Sequence, residues 1–193
     1  MVDHAPINGL MKLWLYQHYV LAKSSWPLLV HDFNHDFITK NLQQPTNVYL
    51  RKWAGLFKSA DQGALYRPRE KLGLGISSLT AYFEMMQIVK CHLLKYSKDP
   101  DIATLYHSRE NHYKHHNTIW RATQLFSKVE NMVDHDMKFP SVSPGDRRGL
   151  GHGIFVMPDD TNSQHRKLCV AAAKKLEVES HMAHATSLAM RGV

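Results

Sequence analysis

Apolar residues three and four positions apart recur along most of this chain, and prolines and glycines cut the pattern into helix-length pieces. Leu10, Leu13, Trp14, Gln17, Val20 and Leu21 follow this spacing in the first piece, with Leu15, Tyr16 and Tyr19 widening the apolar face. A helix with so broad a face is expected to be buried on more than one side. It should stop before Trp26-Pro27, because proline disfavours helical geometry in the residue ahead of it. A second helical region covers about 32–53. Phe33, Phe37, Ile38 and Leu42 form one stripe, Val48, Leu50 and Trp53 another, and Pro45 between them predicts a break or kink.

Residues 55–77 differ. Gly55, Gly63, Pro68, Gly73 and Gly75 punctuate them, and Ala64-Leu-Tyr66 and Leu72-Gly-Leu74 are their only short apolar pieces. A loop is expected there, with room for a small β-hairpin near 64–75. Ser77 or Ser78 can cap the next helix, whose stripe runs through Leu79, Tyr82, Phe83, Met86, Val89, Leu93 and Leu94. Lys98-Asp99-Pro100 ends it. A long helix is expected over 101–134, solvated at its histidine-rich middle, and a last one from about Ser163 to Ala189. The fold class is therefore mainly α. Residues 1–136 form a helical domain, 137–164 a Gly/Pro-rich loop and 165–193 a C-terminal helical segment.

A length of 193 residues with 44% hydrophobic content supports one domain with a real core. Cys91 and Cys169 cannot make a disulfide framework, and two reduced thiols fit an intracellular protein, in cytoplasm or nucleus. The start, Met1-Val-Asp-His, lacks a positive region ahead of an apolar run, so no secretory signal is read. The most apolar run, Leu13 to Ala22, is too short to span a bilayer, so no membrane partner is expected. The net charge of +7 favours a polyanionic partner through phosphate contacts.

Catalytic patterns are weak. Asp159-Asp160 has the form of the paired carboxylates that hold two magnesium ions in polymerases. Yet Met157 replaces the aromatic expected two residues before the pair, Pro158 cannot join a strand ladder, and no hydrophobic strand follows. The pair fits better as an acidic helix start. His112, His115 and His116 could share part of a helix face, and His181 and His184 lie three apart. No Cys-x-x-Cys or His-Glu-x-x-His accompanies them, so no metal and no cofactor are assigned. There is no Gly-x-Ser-x-Gly elbow, and Gly73-Leu-Gly75 and Gly149-Leu-Gly151 lack the rest of a phosphate loop. No catalytic residue is assigned. Basic residues offer more: Arg67, Arg69 and Lys71 beside Tyr66, with Arg51, Lys52 and Lys58 close in sequence, could meet phosphates while an aromatic stacks on sugar or base.

Several runs carry a family resemblance. Lys12-Leu-Trp-Leu-Tyr-Gln-His-Tyr-Val, then Ser25-Trp-Pro-Leu-Leu-Val-His-Asp-Phe33 and Tyr49-Leu-Arg-Lys-Trp-Ala-Gly-Leu56, are followed by Ala64-Leu-Tyr66, Lys71-Leu-Gly-Leu-Gly-Ile-Ser-Ser-Leu79 and Ser97-Lys-Asp-Pro100. Together they resemble the region after the palm in reverse transcriptases of non-LTR (LINE-like) retrotransposons of invertebrate type. Arg148-Gly-Leu-Gly151 and the Arg166-Lys-Leu-Cys-Val…Glu177 segment are similar to the post-thumb part, so the likeness covers most of residues 10–190. The resemblance implies a helical thumb that packs on the template–primer duplex of an RNA-directed DNA polymerase. Arg51, Lys52 and the Arg67, Arg69 and Lys71 loop would then contact sugar-phosphate with little base readout. It also implies that the palm is lacking, that this chain is a fragment inactive alone, and that a thumb without its palm could self-associate through apolar surface. The alternative is a helical protein-interaction or assembly module with no nucleic-acid role.

Overall fold

Proline and the spacing of buried residues shape the N-terminal helices in a way the simple period does not foretell. A computed structural model describes residues 2–58, 60–112, 117–138 and 161–190. Helix α1 (Gly9–Leu15) continues through a π segment (Tyr16–Val20) directly into α2 (Leu21–Val30), and Pro27 lies inside α2. The expected stop before Trp26-Pro27 is thus overturned. Proline removes one backbone donor, but Leu28 is buried in the core and the His31 N–H bonds the Pro27 carbonyl at 3.1 Å, so the last turn is held from beyond the proline.

Burial on more than one side is overturned as well. Leu13, Tyr16, Leu21 and Leu28 face the core, whereas Leu10, Trp14 and Tyr19 are exposed. The wider π turn takes one extra residue, about 100° of rotation, so the inward face steps five residues from Tyr16 to Leu21. Gly9 lies against Trp53, where a Cβ would fall on the Trp53 carbonyl oxygen.

The second region repeats the device. After Asn34 caps α3 (His35–Phe37) by accepting the Asp36 N–H at 2.9 Å, a π segment (Ile38–Gln43) leads into α4 (Gln44–Trp53). Pro45 therefore causes no break. It falls in the first turn of the restarted α ladder, where its missing N–H costs little.

Residues 61–76 contain no strand, so the small hairpin expected near 64–75 does not form. The two short pieces do meet, through Leu74 N–H to Ala64 O at 3.0 Å and Ile76 N–H to Leu65 O at 3.0 Å. But α5 (Gly63–Tyr66) and a 3-10 turn (Arg69–Lys71) consume the backbone groups that a ladder would need. Ser78 then caps α6 (Leu79–Lys95), its Oγ accepting the Ala81 N–H at 3.0 Å. Helices α7 (Pro100–His112), α8 (Asn117–Lys138) and α9 (Thr161–Met190) follow. The protein is mainly α, with no strand among the described residues.

The chain divides into two compact units, one of residues up to Met86 together with those from Lys175, the other of 87–174. In the first, Leu13, Leu21, Leu28, Ile38, Leu50, Leu65, Ile76 and Phe83 make one apolar cluster. In the second, Ile88, Tyr106, Phe126, Val129, Val133 and Cys169 are buried. Asp159-Asp160, His115, His116, most of the 137–164 loop and the Arg148-Gly-Leu-Gly151 run lie outside the described residues. Among those described, no helix is long and apolar enough to cross a membrane.

Candidate nucleic-acid interface

Loop geometry in the first unit begins with a closed polar network beneath it. The Gln43 side-chain amide donates to the Tyr66 hydroxyl and to Asn47 Oδ1, and the Tyr66 hydroxyl donates to the same Asn47 oxygen. Asn47 Nδ2 donates to Gln62 Oε1 at 3.2 Å, and Gln43 Oε1 accepts the Thr80 N–H at 3.0 Å. These groups are largely buried, so each bond avoids the cost of an unpaired polar atom. Burial, opposed in part by the Gln43 hydrogen bond, holds the Tyr66 phenol well above its ordinary range. Tyr66 acts here as a neutral strut, and its ring stacks on His181 at 5.4 Å.

The six basic candidates divide in two. Arg51 Nη1 donates to the Lys58 carbonyl at 3.0 Å, Lys52 pairs with Asp3 at 2.9 Å, and Arg67 pairs with Asp61 at 3.3 Å. These three hold the protein's own loops. Hydrogen bonds from Lys52 and from the Trp53 indole keep the Asp3 carboxyl down at about 2. Arg51 Nε and Arg67 Nε are buried without a hydrogen-bond partner among the described residues, so each tether leaves one guanidinium donor unsatisfied at some cost.

Lys58, Arg69 and Lys71 are exposed, and so is the Lys52 side chain despite its pair with Asp3. Two of them adjoin an exposed apolar residue: Phe57, 84% exposed, precedes Lys58, and Leu72, 92% exposed, follows Lys71. Leu72 adopts a left-handed backbone (φ 57°), uncommon for a non-glycine residue. Gly73 makes that turn fit, because a Cβ there would strike the Arg67 carbonyl. Gly75 N–H to Arg67 O at 2.9 Å and Gly73 N–H to Pro68 O at 3.0 Å close it. The result is a pinned loop that displays cations and bare apolar side chains at its rim.

The second unit contains a different cluster. His92 and His165 face each other, Nε2 to Nδ1 at 3.1 Å, and His165 Nε2 reaches Asp134 at 3.4 Å. Lys95 Nζ and the Tyr96 hydroxyl both bond Glu130, at 2.6 and 2.7 Å. Burial first, then the charges of His165, Arg166 and Lys95 against the opposing Glu130, lower His92 to about 4. Burial pushes the Cys169 thiol up to about 11, which removes it as a nucleophile at neutral pH. Among the described residues no three His, Cys, Asp or Glu side chains are placed to hold a metal ion.

Sequence spacing does not reveal the Gln43–Asn47–Gln62 network. Two amides one helical turn apart carry no signal until the loop bearing Gln62 folds over them. Nor does spacing show that Asp3 and Asp61 occupy two of the predicted cations. No family model, curated protein or solved structure matches this chain.

Proposed function

We propose that this chain is a non-catalytic, backbone-contacting part of a retrotransposon reverse transcriptase, a thumb that holds template–primer during RNA-directed DNA synthesis and does not polymerise by itself. One observation carries the reading: Lys58, Arg69 and Lys71 stand exposed on loops fixed from beneath, while Arg51, Lys52 and Arg67 serve as tethers. On this reading Lys58, Arg69 and Lys71 are the first of the six candidates to test as contacts. Exposed cations suit sugar-phosphate, which is recognised by position and charge, with the exposed Glu70 between Arg69 and Lys71 offsetting part of that charge. The family resemblance of the Tyr49-Leu-Arg-Lys-Trp-Ala-Gly-Leu56 and Lys71–Leu79 runs supports it.

The test is binding to an RNA–DNA hybrid across a salt series. Replacing Lys58, Arg69 and Lys71 together by alanine should reduce the slope of log affinity against log salt by about 2–3. The Arg51→Ala change should instead lower stability. A triple variant with an unchanged slope overturns the assignment. In primer extension with Mg²⁺ or Mn²⁺, no incorporation is expected. Synthesis abolished by Asp159→Ala and Asp160→Ala would refute the non-catalytic reading.

Exposed Val48 and Tyr49 on α4 favour a second reading, a helical assembly module. A discrete oligomer in light scattering, with no affinity for the hybrid at low salt, would select it.

A further inference from the structure

The outward face of the α1–π–α2 helix is aromatic along its length. Trp14 is 55% exposed, Tyr19 57% and Trp26 70%. They stay on one side because the π segment shifts both faces together: the inward step from Tyr16 to Leu21 is five residues, and so is the outward step from Trp14 to Tyr19. Leu10, Met11 and Val30 extend the exposed face at its ends. The fold offers these rings no core to fill, since Leu13, Tyr16, Leu21 and Leu28 already anchor the helix from the opposite side.

Charge identifies the partner. No acidic residue occurs from Gly9 to Val30. Two cationic or ionisable side chains are interleaved with the rings four positions on: His18 packs on Trp14 at 4.9 Å, and Lys23 Nζ lies 5.7 Å from the Tyr19 ring centre. Rings alternating with basic groups suit a ligand that alternates flat bases with phosphates. A helix that lies on lipid needs a solvated cationic face opposite its apolar one. Here the opposite face is the protein core. A base-paired duplex hides the faces of its bases, so only unpaired nucleotides can stack on these rings.

We propose that the outer face of the α1–π–α2 helix is a stacking platform for single-stranded nucleic acid, with Trp14 and Trp26, about 18 Å apart along the helix, taking unpaired bases and Lys23 the phosphates between. The inference rests on the nucleic-acid reading above and adds a second contact surface, distinct in chemistry from the Lys58, Arg69 and Lys71 rim.

The test measures binding of a labelled single-stranded 20-mer (oligo-U or oligo-dT), the matching duplex and anionic phosphatidylserine vesicles. The proteins are wild type, a Trp14→Leu, Trp26→Leu double variant and a Trp14→Phe, Trp26→Phe double variant. Leucine keeps apolar bulk but cannot stack, whereas phenylalanine can. The leucine pair should lose roughly 10- to 100-fold in single-strand affinity. The phenylalanine pair should regain most of it, duplex binding should change less than about twofold, and tryptophan emission should be quenched by the single strand. Equal binding by the leucine pair and wild type overturns the platform. So does equal loss in both double variants, or binding to vesicles that exceeds binding to the single strand. If the platform fails while the rim variants still lower the salt slope on the hybrid, the functional reading stands without it. If wild type binds neither single strand nor hybrid, both fall. Melting curves check that each variant folds.

Discussion

The two units bury different chemistry. In the first, aliphatic side chains such as Leu50, Leu65 and Ile38 fill the core, and the polar atoms among them belong mostly to neutral groups, Gln43, Asn47 and the Tyr66 phenol. In the second, Ile88, Phe126 and Val129 share the interior with groups that carry or can acquire charge, His92 and Glu130, which contact the partly buried His165 and Lys95. A neutral network keeps its bonds across a wide pH range, whereas an ionisable one depends on which protons are present. The contrast fits the proposed role, in which the first unit presents cations and rings to nucleic acid. It gives the second unit a built-in sensitivity to acid.

The largest expected effect tests the apolar side of this contrast. Leu65, in α5, is fully buried within the core cluster of the first unit. Leu65→Ala should cost about 2–5 kcal/mol, lost contacts and residual cavity together. Amide exchange should accelerate at Ile76, whose N–H bonds the Leu65 carbonyl, and in α4. A change below about 1 kcal/mol would mean that the loop is held by its polar network alone.

A smaller effect tests the ionisable side. The folded protein holds His92 at about 4, against 6.5 as the ordinary value. Above pH 6.5 both folded and unfolded chains carry a neutral imidazole there, and the full stability is present. Between 6.5 and 4 the unfolded chain binds a proton that the folded one resists, so stability falls as pH drops; below 4 the loss levels off. Around His92 stand His165 and Arg166 from α9, Glu130 from α8 and Lys95 from its own helix. Protonating His92 would set its charge against the His165 ring, 3.1 Å away, and beside Arg166 and Lys95. Exchange protection at 88–95, corrected for intrinsic rates, should fall at least about tenfold from about pH 7 to about pH 4.5. Protection at 44–50 should fall less, and His92→Gln should flatten the difference. Equal acid sensitivity in both segments would erase the contrast.

Helix is legible in the sequence because apolar residues recur at its period, although the stripe drifts: in α6 Leu79 and Phe83 are buried as expected, whereas Leu93 is exposed and Ile88, Cys91 and His92 are buried in its place. Two features are not. A π turn adds one residue and leaves no mark in composition, so spacing alone assigns Trp14 and Tyr19 to the core though they point outward. Proline reads as a helix stop at Trp26-Pro27, but a buried leucine after it outweighs one lost hydrogen bond. The basic candidates are visible as residue types. Which of them pair within the protein is not, because it depends on Asp3 arriving from the far N-terminal turn and on the loop folding Asp61 back onto Arg67.

The smallest expected effect concerns the rim itself. Leu72 keeps a left-handed backbone while its side chain touches little, so neither packing nor local geometry accounts for leucine there. A folding-optimised turn would carry glycine or asparagine at that position. Leu72→Gly should therefore stabilise the protein by up to about 1 kcal/mol, less the added freedom of glycine in the unfolded chain, a rise in Tm of roughly 1–3 °C. If the leucine is retained for contact with nucleic acid, the same change should weaken hybrid binding even as it stabilises the fold. A gain in stability with no loss of binding would remove Leu72 from the interface and leave the three cations to account for it. A loss of stability would mean that the Leu72 side chain contributes to the fold after all.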